Sequence, residues 1–400
     1  MTQTDRITVV GEAQGGSGPG SGAEASLPEA ARVPVAAGKP VRGSNRLAAL
    51  DGLRFLAALA VVLYHFVGQK PKTMEVFWGQ PYTEVFPDAH GYFAYGQFGV
   101  DLFFLISGFV ICMSAWGRTP RDFFISRVTR LYPMYWVAIA VSACVLFFVS
   151  NPFADRDPRI IFANLTMLQR PLGVANLDAV YWTLWPELCF YLTFSVVVWK
   201  GLTYQRVVIF AGLWTVAAVL APAVDLPLLT LLVNPQSAPY FIAGMAFYLM
   251  YRFRPTPLLW GVVAMSWLLA LHFLLAPHGG RIKWDIWSPS YSSLVIVTTV
   301  FFALIAAIAL GWSSRIRWRW LTVAGTLTFP LYLLHDIIGI TLLHRYADRV
   351  DPWVLVGSIT AGLVVLSYVV QRFVERPVAV ATRRWLKSAD FGWKQPARRR

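Results

Sequence analysis

Arg54 and His65 stand in the first long apolar stretch of the chain, Leu-Asp-Gly-Leu-Arg-Phe-Leu-Ala-Ala-Leu-Ala-Val-Val-Leu-Tyr-His from Leu50 to His65. They are 11 positions apart. On a helix that is about three turns, so both fall on nearly one face, roughly 16 Å apart along the axis. A charged side chain near the middle of a membrane helix costs on the order of 2.5–3.5 kcal/mol on insertion scales, so an arginine and a histidine kept there point to function. A guanidinium holds anions, and an imidazole exchanges protons near neutral pH. On one stripe at two depths they suit a long anionic ligand threaded along the helix.

Other polar residues sort to the same two depths. Arg127 and Arg130, in Ile-Ser-Arg-Val-Thr-Arg-Leu-Tyr-Pro, are spaced i, i+3 just before an apolar run, and so share a helical face. With Arg54 they could fork onto phosphates; taken alone, the positive-inside tendency would also place arginines there. Toward the other side, His65, His335, Glu187 and Asp101 are expected at about one depth on four different spans, with Tyr332 and Asp336 beside His335. Singly, Asp101 or Asp336 could be an interfacial residue facing water. Together the four predict one polar pocket.

The chemistry of such a pocket is general base catalysis. A histidine can take the proton of an alcohol as that alcohol attacks a thioester. A carboxylate on the other ring nitrogen would fix the tautomer and stabilise the imidazolium. His65 and Glu187 are expected to be catalytic, although the sequence leaves open which carboxylate orients His65. Asp101, Tyr332, His335 and Asp336 are expected to line or support the acceptor pocket. There is no Gly-x-Ser-x-Gly elbow, no Gly-x-x-x-x-Gly-Lys loop and no metal-ligand spacing, so no acyl-enzyme, metal or permanently bound cofactor is expected. Cys112, Cys144 and Cys189 lie in apolar runs without a disulfide pattern. His90, His272, His278 and His344 fall in loops or at span ends and are assigned no role.

The elements that must hold these residues are membrane helices. With 56% hydrophobic and 14% charged residues and a mean hydropathy of +0.53, no ordinary soluble domain fits. The net charge of +14 does not point to nucleic acid, because the basic residues lie in loops between apolar runs. Those runs predict an all-α bundle of about ten spans, near 48–68, 98–116, 131–149, 185–199, 207–221, 236–251, 258–276, 290–311, 321–343 and 353–371. The sixth is the weakest, since Pro235 and Pro239 interrupt its start. With the N-terminus inside, cytoplasmic segments hold 25 Lys and Arg, outer loops 9, and Arg54 completes the 35. This bias predicts both termini cytoplasmic. Residues 1–46 read as a disordered tail, 47–378 as the membrane domain and 379–400 as a basic tail near anionic lipid.

The chain resembles the acyltransferase-3 family of integral-membrane O-acyltransferases, over about residues 47–378. Arg54 and His65 resemble its Arg-x10-His motif. Leu-Asp-Gly-Leu-Arg-Phe around Arg54, Gly-Val-Asp-Leu-Phe-Phe-Leu-Ile-Ser-Gly-Phe from Gly99 to Phe109, Arg-x-x-Arg at Arg127 and Arg130, Trp-Thr-Leu-Trp-Pro-Glu from Trp182 to Glu187, and Tyr-Leu-Leu-His from Tyr332 to His335 follow in family order. The resemblance implies acyl transfer from acyl-CoA, donated from the cytoplasm, to a hydroxyl, usually on a sugar. It implies His65 as base, with Arg54, Arg127 and Arg130 supporting the donor or the active fold. Two departures bear on the acceptor pocket: Tyr-Trp-Thr replaces the usual serine-rich stretch, and Asp336 stands where an aromatic is common. Composition and Trp-Pro-Glu-Leu-Cys-Phe are similar to macrolide O-acyltransferases, which favours a glycosylated macrolide as acceptor over a cell-envelope polysaccharide or glycolipid. The expected partners are acyl-CoA, a hydroxylated acceptor and the plasma-membrane bilayer. A proton-coupled carrier is the competing class; against it stand the lack of an internal repeat and of paired broken helices.

Overall fold

A computed structural model describes residues 47–149, 157–224, 226–275 and 290–388. The predicted tail 1–46, the last part of the basic tail (389–400) and His278 lie outside the described residues. Among the described residues regular structure is entirely helical. The chain runs α1 (Ala48–Leu63), α2 (Pro71–Trp78), α3 (Tyr82–Val85), α4 (His90–Phe93), α5 (Gly99–Ala115), α6 (Pro120–Phe148), α7 (Pro158–Leu165), α8 (Leu184–Lys200), α9 (Tyr204–Val224), α10 (Pro227–Val233), α11 (Ala238–Arg252), α12 (Pro257–Leu275), α13 (Tyr291–Ala309), α14 (Arg319–Tyr346), α15 (Pro352–Val370) and α16 (Arg376–Ser388).

Among the described residues, eight helical runs are long and apolar enough to cross a membrane: those containing α1, α5, α6, α9, α12, α13, α14 and α15. The other two predicted spans correspond to α8, with 17 residues, and α11, with 15. The chain is a multi-pass helical membrane protein. Its outward faces are apolar, as lipid contact requires: Ile209, Leu213 and Val216 on α9, Leu258 and Leu268 on α12, and Val354 and Val365 on α15 are all exposed.

α11 is short because it is central. Every residue from Ala238 to Met250 is buried, so it needs no lipid-facing side. Pro239 sits in its first turn, where a missing N–H leaves no helical hydrogen bond unmade. Its packing against α5 depends on two facing glycines. A Cβ on Gly108 would run into the backbone of Phe241, and one on Gly244 into the backbone of Leu105. Small residues of this kind let membrane helices approach backbone to backbone.

α8 is short for another reason. Its N-terminus begins inside the protein, after a buried 3-10 turn, Ala179–Thr183, in which Val180, Tyr181 and Thr183 are covered. The segment that leads there is held by Asn164, whose side chain donates to the carbonyls of Ile160 (2.7 Å) and Ala175 (3.0 Å) and accepts from the Leu177 N–H (3.1 Å). Between the first two spans, α2–α4 form a lid of aromatic residues. Trp78, Tyr82 and Phe86 pack with Phe66 of the first span and with Leu331 and Leu355 of α14 and α15.

The last span continues through a π-helical turn, Gln371–Glu375, into α16. Arg121 of α6 donates to the Lys387 carbonyl at 2.9 Å. Helix therefore runs through the predicted domain boundary at 378, and residues 379–388 lie against the protein.

Candidate active site

His65 lies just past the end of α1, where the helix widens into a π turn, Tyr64–Gly68. Such turns release backbone groups and are frequent at functional sites. Here the freed Phe66 carbonyl accepts from the Trp78 indole N–H at 3.0 Å. The widened turn aims His65 at α14. Its Nδ1 is 2.7 Å from Asp336 Oδ1, and the Gln69 amide nitrogen stands 3.1 Å from the same Nδ1. A carboxylate at this distance favours the tautomer with the proton on Nδ1, which leaves Nε2 with its lone pair. Asp336 is buried, and His65 is 9% exposed.

His335 completes the group. Its ring meets that of His65 edge to face, with centroids 4.9 Å apart. His335 is fully buried. Its Nδ1–H donates to the Tyr332 carbonyl at 2.8 Å, which leaves Nε2 as an acceptor without a hydrogen-bond partner. The carboxyl of Asp178, from the segment before α8, lies in electrostatic range of Asp336.

The second half of the site is a cavity of about 50 Å³, with room for a few water molecules. Arg54 of α1, Ser107 of α5, Arg130 of α6, Thr183 and Glu187 at the start of α8, and Tyr332 of α14 border it. Tyr332 separates the cavity from the histidines. Its hydroxyl donates to the Val180 carbonyl (3.1 Å) and accepts from Thr183 (2.9 Å), while its ring stands 5.8 Å from that of His335. Arg127 is one step removed. It donates to Ser114 (3.1 Å) and Ser126 (3.0 Å) and lies 5.4 Å from the centre of the Tyr191 ring. Tyr191 in turn donates to Glu187 in a short hydrogen bond.

The predicted groups are therefore partly redistributed. Arg54, Arg127 and Arg130 gather as expected, and His65 and His335 meet. Glu187, expected at the depth of His65, instead stands in electrostatic range of Arg54 and Arg127 and on the cavity wall with Arg130. The reason is the buried start of α8, which puts its first turn inside the bundle. Asp101 is buried in the first turn of α5, next in sequence to Val100 on the cavity wall. Asp336, not Glu187, contacts His65.

Three residues escaped sequence reasoning: Gln69, Asp178 and His90. The His90 ring, buried on α4, meets the Gln69 carbonyl at 2.7 Å and packs 4.2 Å from Tyr82. Each of the three lies in a connection between spans, where only the folded lid or the buried turn reveals a neighbour.

His65, His335 and Asp336 place ligand-type atoms within 4.8 Å of one another, so a metal deserves a geometric test. Tetrahedral zinc ligands at about 2.0–2.1 Å from the ion stand about 3.4 Å apart. The 2.7 Å contact of His65 with Asp336 is closer than that and is the distance of a direct imidazole–carboxylate pair.

Comparison with known proteins gives this arrangement its class. Residues 47–372 match the family described as "Acyltransferase domain". The chain belongs to this family, the acyltransferase-3 family of membrane O-acyltransferases. It is 24% identical to "Acyltransferase MdmB" of Streptomyces mycarofaciens over 328 residues, 73% of this chain and 79% of that protein. Two shorter matches are "Protein 2 in picA locus" of Rhizobium radiobacter, 37% identical over 106 residues, and "Exopolysaccharide production protein ExoZ" of Rhizobium meliloti, 30% identical over 99. They cover 25% and 24% of this chain, and 45% and 29% of those proteins. No solved structure matches.

Proposed function

We propose that the protein transfers a short acyl group from acyl-CoA to a hydroxyl of a glycosylated acceptor, with His65 as general base. The observation that carries this reading is the His65–Asp336 contact at 2.7 Å. It leaves Nε2 of His65 to take the hydroxyl proton as the oxygen attacks the thioester carbonyl. The C–S bond then breaks, and the proton returns from His65 to the sulfur. Asp336 orients the ring. Arg54 and Arg130 receive donor phosphates, and Arg127, Tyr191 and Glu187 hold that side in place. A cavity that holds a few waters does not take a whole CoA, so the surrounding helices part when the donor enters.

The basic residues favour an orientation with the arginines and both termini at the cytoplasmic side of the plasma membrane, where acyl-CoA is available. The match to an acyltransferase of a Streptomyces along 73% of the chain, together with the sequence likeness noted above, favours a macrolide lactone or mycarose-type hydroxyl as acceptor. A second reading, O-acylation of a cell-envelope polysaccharide, is supported by the exopolysaccharide production protein among the shorter matches.

The test uses membranes carrying wild type or His65→Ala, supplied with acetyl-, propionyl-, butyryl- or isovaleryl-CoA and a glycosylated macrolide. Free CoA and product mass are followed. A product heavier by one acyl group, made by wild type alone, is the expected result. CoA release without macrolide product would move the acceptor to the cell envelope. No His65-dependent CoA release with either acceptor class would overturn the reading.

A further inference from the structure

Asp178 belongs to no motif considered above, yet it is almost fully enclosed, at 1% exposure. It precedes the buried 3-10 turn and caps it. Oδ1 accepts from the Val180 N–H at 3.1 Å, and Oδ2 lies 3.4 Å from the Ile337 N–H. Ile337 follows Asp336, so the carboxyl is docked on the backbone of α14 beside the residue that holds His65. The two carboxyl groups lie in electrostatic range of each other.

A hydrogen bond between them needs a proton. Two carboxylates in contact cannot both be ionised in a buried site without a cation between them. Asp336, Tyr135, Tyr181 and Tyr332 stand in electrostatic range of Asp178, and none of these four is a cation. Asp336, in contrast, faces His65 directly. Burial and the neighbouring Asp336 carboxylate push Asp178 well above the ordinary carboxylate range. The proton of the pair therefore sits on Asp178, and the charge sits on Asp336.

We propose that Asp178 is a positioning residue that acts as a neutral carboxylic acid: it donates to Asp336 and so holds Asp336 ionised and aimed at Nδ1 of His65. Asp178 touches no reacting atom and keeps its proton throughout. Its effect on rate rests on His65 being the base, while its protonation state does not. The same segment is tied to α14 twice more, through Thr183 and the Val180 carbonyl on the Tyr332 hydroxyl, so the turn before α8 sets the register of the His65 partner.

Two measurements on the purified full-length protein test this. Wild type minus Asp178→Asn infrared difference spectra should show the carbonyl stretch of a protonated carboxylic acid, with a shift in D2O. A carboxylate band in its place would overturn the proposal, and neither result depends on donor or acceptor. In turnover, Asp178→Asn keeps a donor toward Asp336 and should retain kcat within about tenfold, whereas Asp178→Val, similar in size but without polar atoms, should lose about 100-fold in kcat with both KM values little changed. Asp178→Asn as inactive as Asp178→Val, or Asp178→Val as active as wild type, would also overturn it. Wild type that shows the acid band but transfers no acyl group would count against the donor and acceptor assignment and leave Asp178 standing.

Discussion

Two groups of ionisable residues share one bundle and are built in opposite ways. Around His65 the partners are short-range and enclosed: Asp336 at 2.7 Å, buried Asp178 behind it, and His335 fixed by a carbonyl. Around Arg54 and Arg130 the charges border a cavity, and Arg127 donates to the neutral hydroxyls of Ser114 and Ser126. The difference separates two tasks. A proton-transfer centre needs one fixed tautomer and one fixed direction, so its charges are satisfied from within. An anion site must keep cationic capacity to offer a ligand, so its charges are left in part to be satisfied from outside.

The sharpest break of this contrast comes from the enclosed group. Removal of a general base costs about 10²–10⁴-fold; His65→Ala should fall in that range in kcat with donor KM little changed, as read by initial rates in membranes matched for protein content. Asp336→Asn comes next. An amide in that position no longer selects the Nδ1–H tautomer, and a loss of about 10²–10⁴-fold in kcat is expected, with substrate KM values again little moved. A rise in donor KM as the main effect of either change would erase the division between the two regions.

Most of the bundle was legible in the sequence because apolar length is a one-dimensional signal. The ten predicted runs near α1, α5, α6, α8, α9 and α11–α15 all correspond to helices. α8 and α11 fall short of a full membrane span because one starts inside the protein and the other is buried all round; neither fact leaves a mark on hydropathy. The arginine group was legible for the same reason, since spacing along α6 fixes which arginines share a face. The partner of His65 was not. Depth counted along separate helices put Glu187 beside it, but the buried turn Ala179–Thr183 displaces the start of α8. Gln69, His90 and Asp178 lie in connections, where sequence distance says nothing about what the chain folds back to touch.

The cavity side should respond differently and less strongly. Hydrogen bonds to charged groups are worth about 1.5–3 kcal/mol, or about 10- to 150-fold. Arg54→Ala and Arg130→Ala should each lose that much in kcat/KM for acyl-CoA, mainly through KM, and acceptor KM should stay near wild type. Glu187→Gln sharpens the division further. On the cavity wall with the arginines it should alter donor KM more than kcat, by about tenfold or less. A kcat loss equal to that of Asp336→Asn, with unchanged donor KM, would return Glu187 to the histidine group.

The smallest expected effect decides how the enclosed group is ranked within itself. Nδ1 of His65 has two neighbours, the Asp336 carboxylate at 2.7 Å and the Gln69 amide at 3.1 Å. An amide nitrogen only donates, so it is the Gln69 amide oxygen, turned toward the ring, that can share the Nδ1 proton, and the charged carboxylate takes the larger part of it. Gln69 then contributes a weak contact, held in place from behind by His90 on its carbonyl. A neutral hydrogen bond is worth about 0.5–1.5 kcal/mol, so Gln69→Ala should lower kcat about two- to tenfold. Combined with Asp336→Asn it should cost less than the product of the two single losses, because both act on one ring nitrogen. A Gln69→Ala loss as large as that of Asp336→Asn would make the amide the orienting partner and would put the weight of the site on the lid formed by α2–α4 instead of on α14.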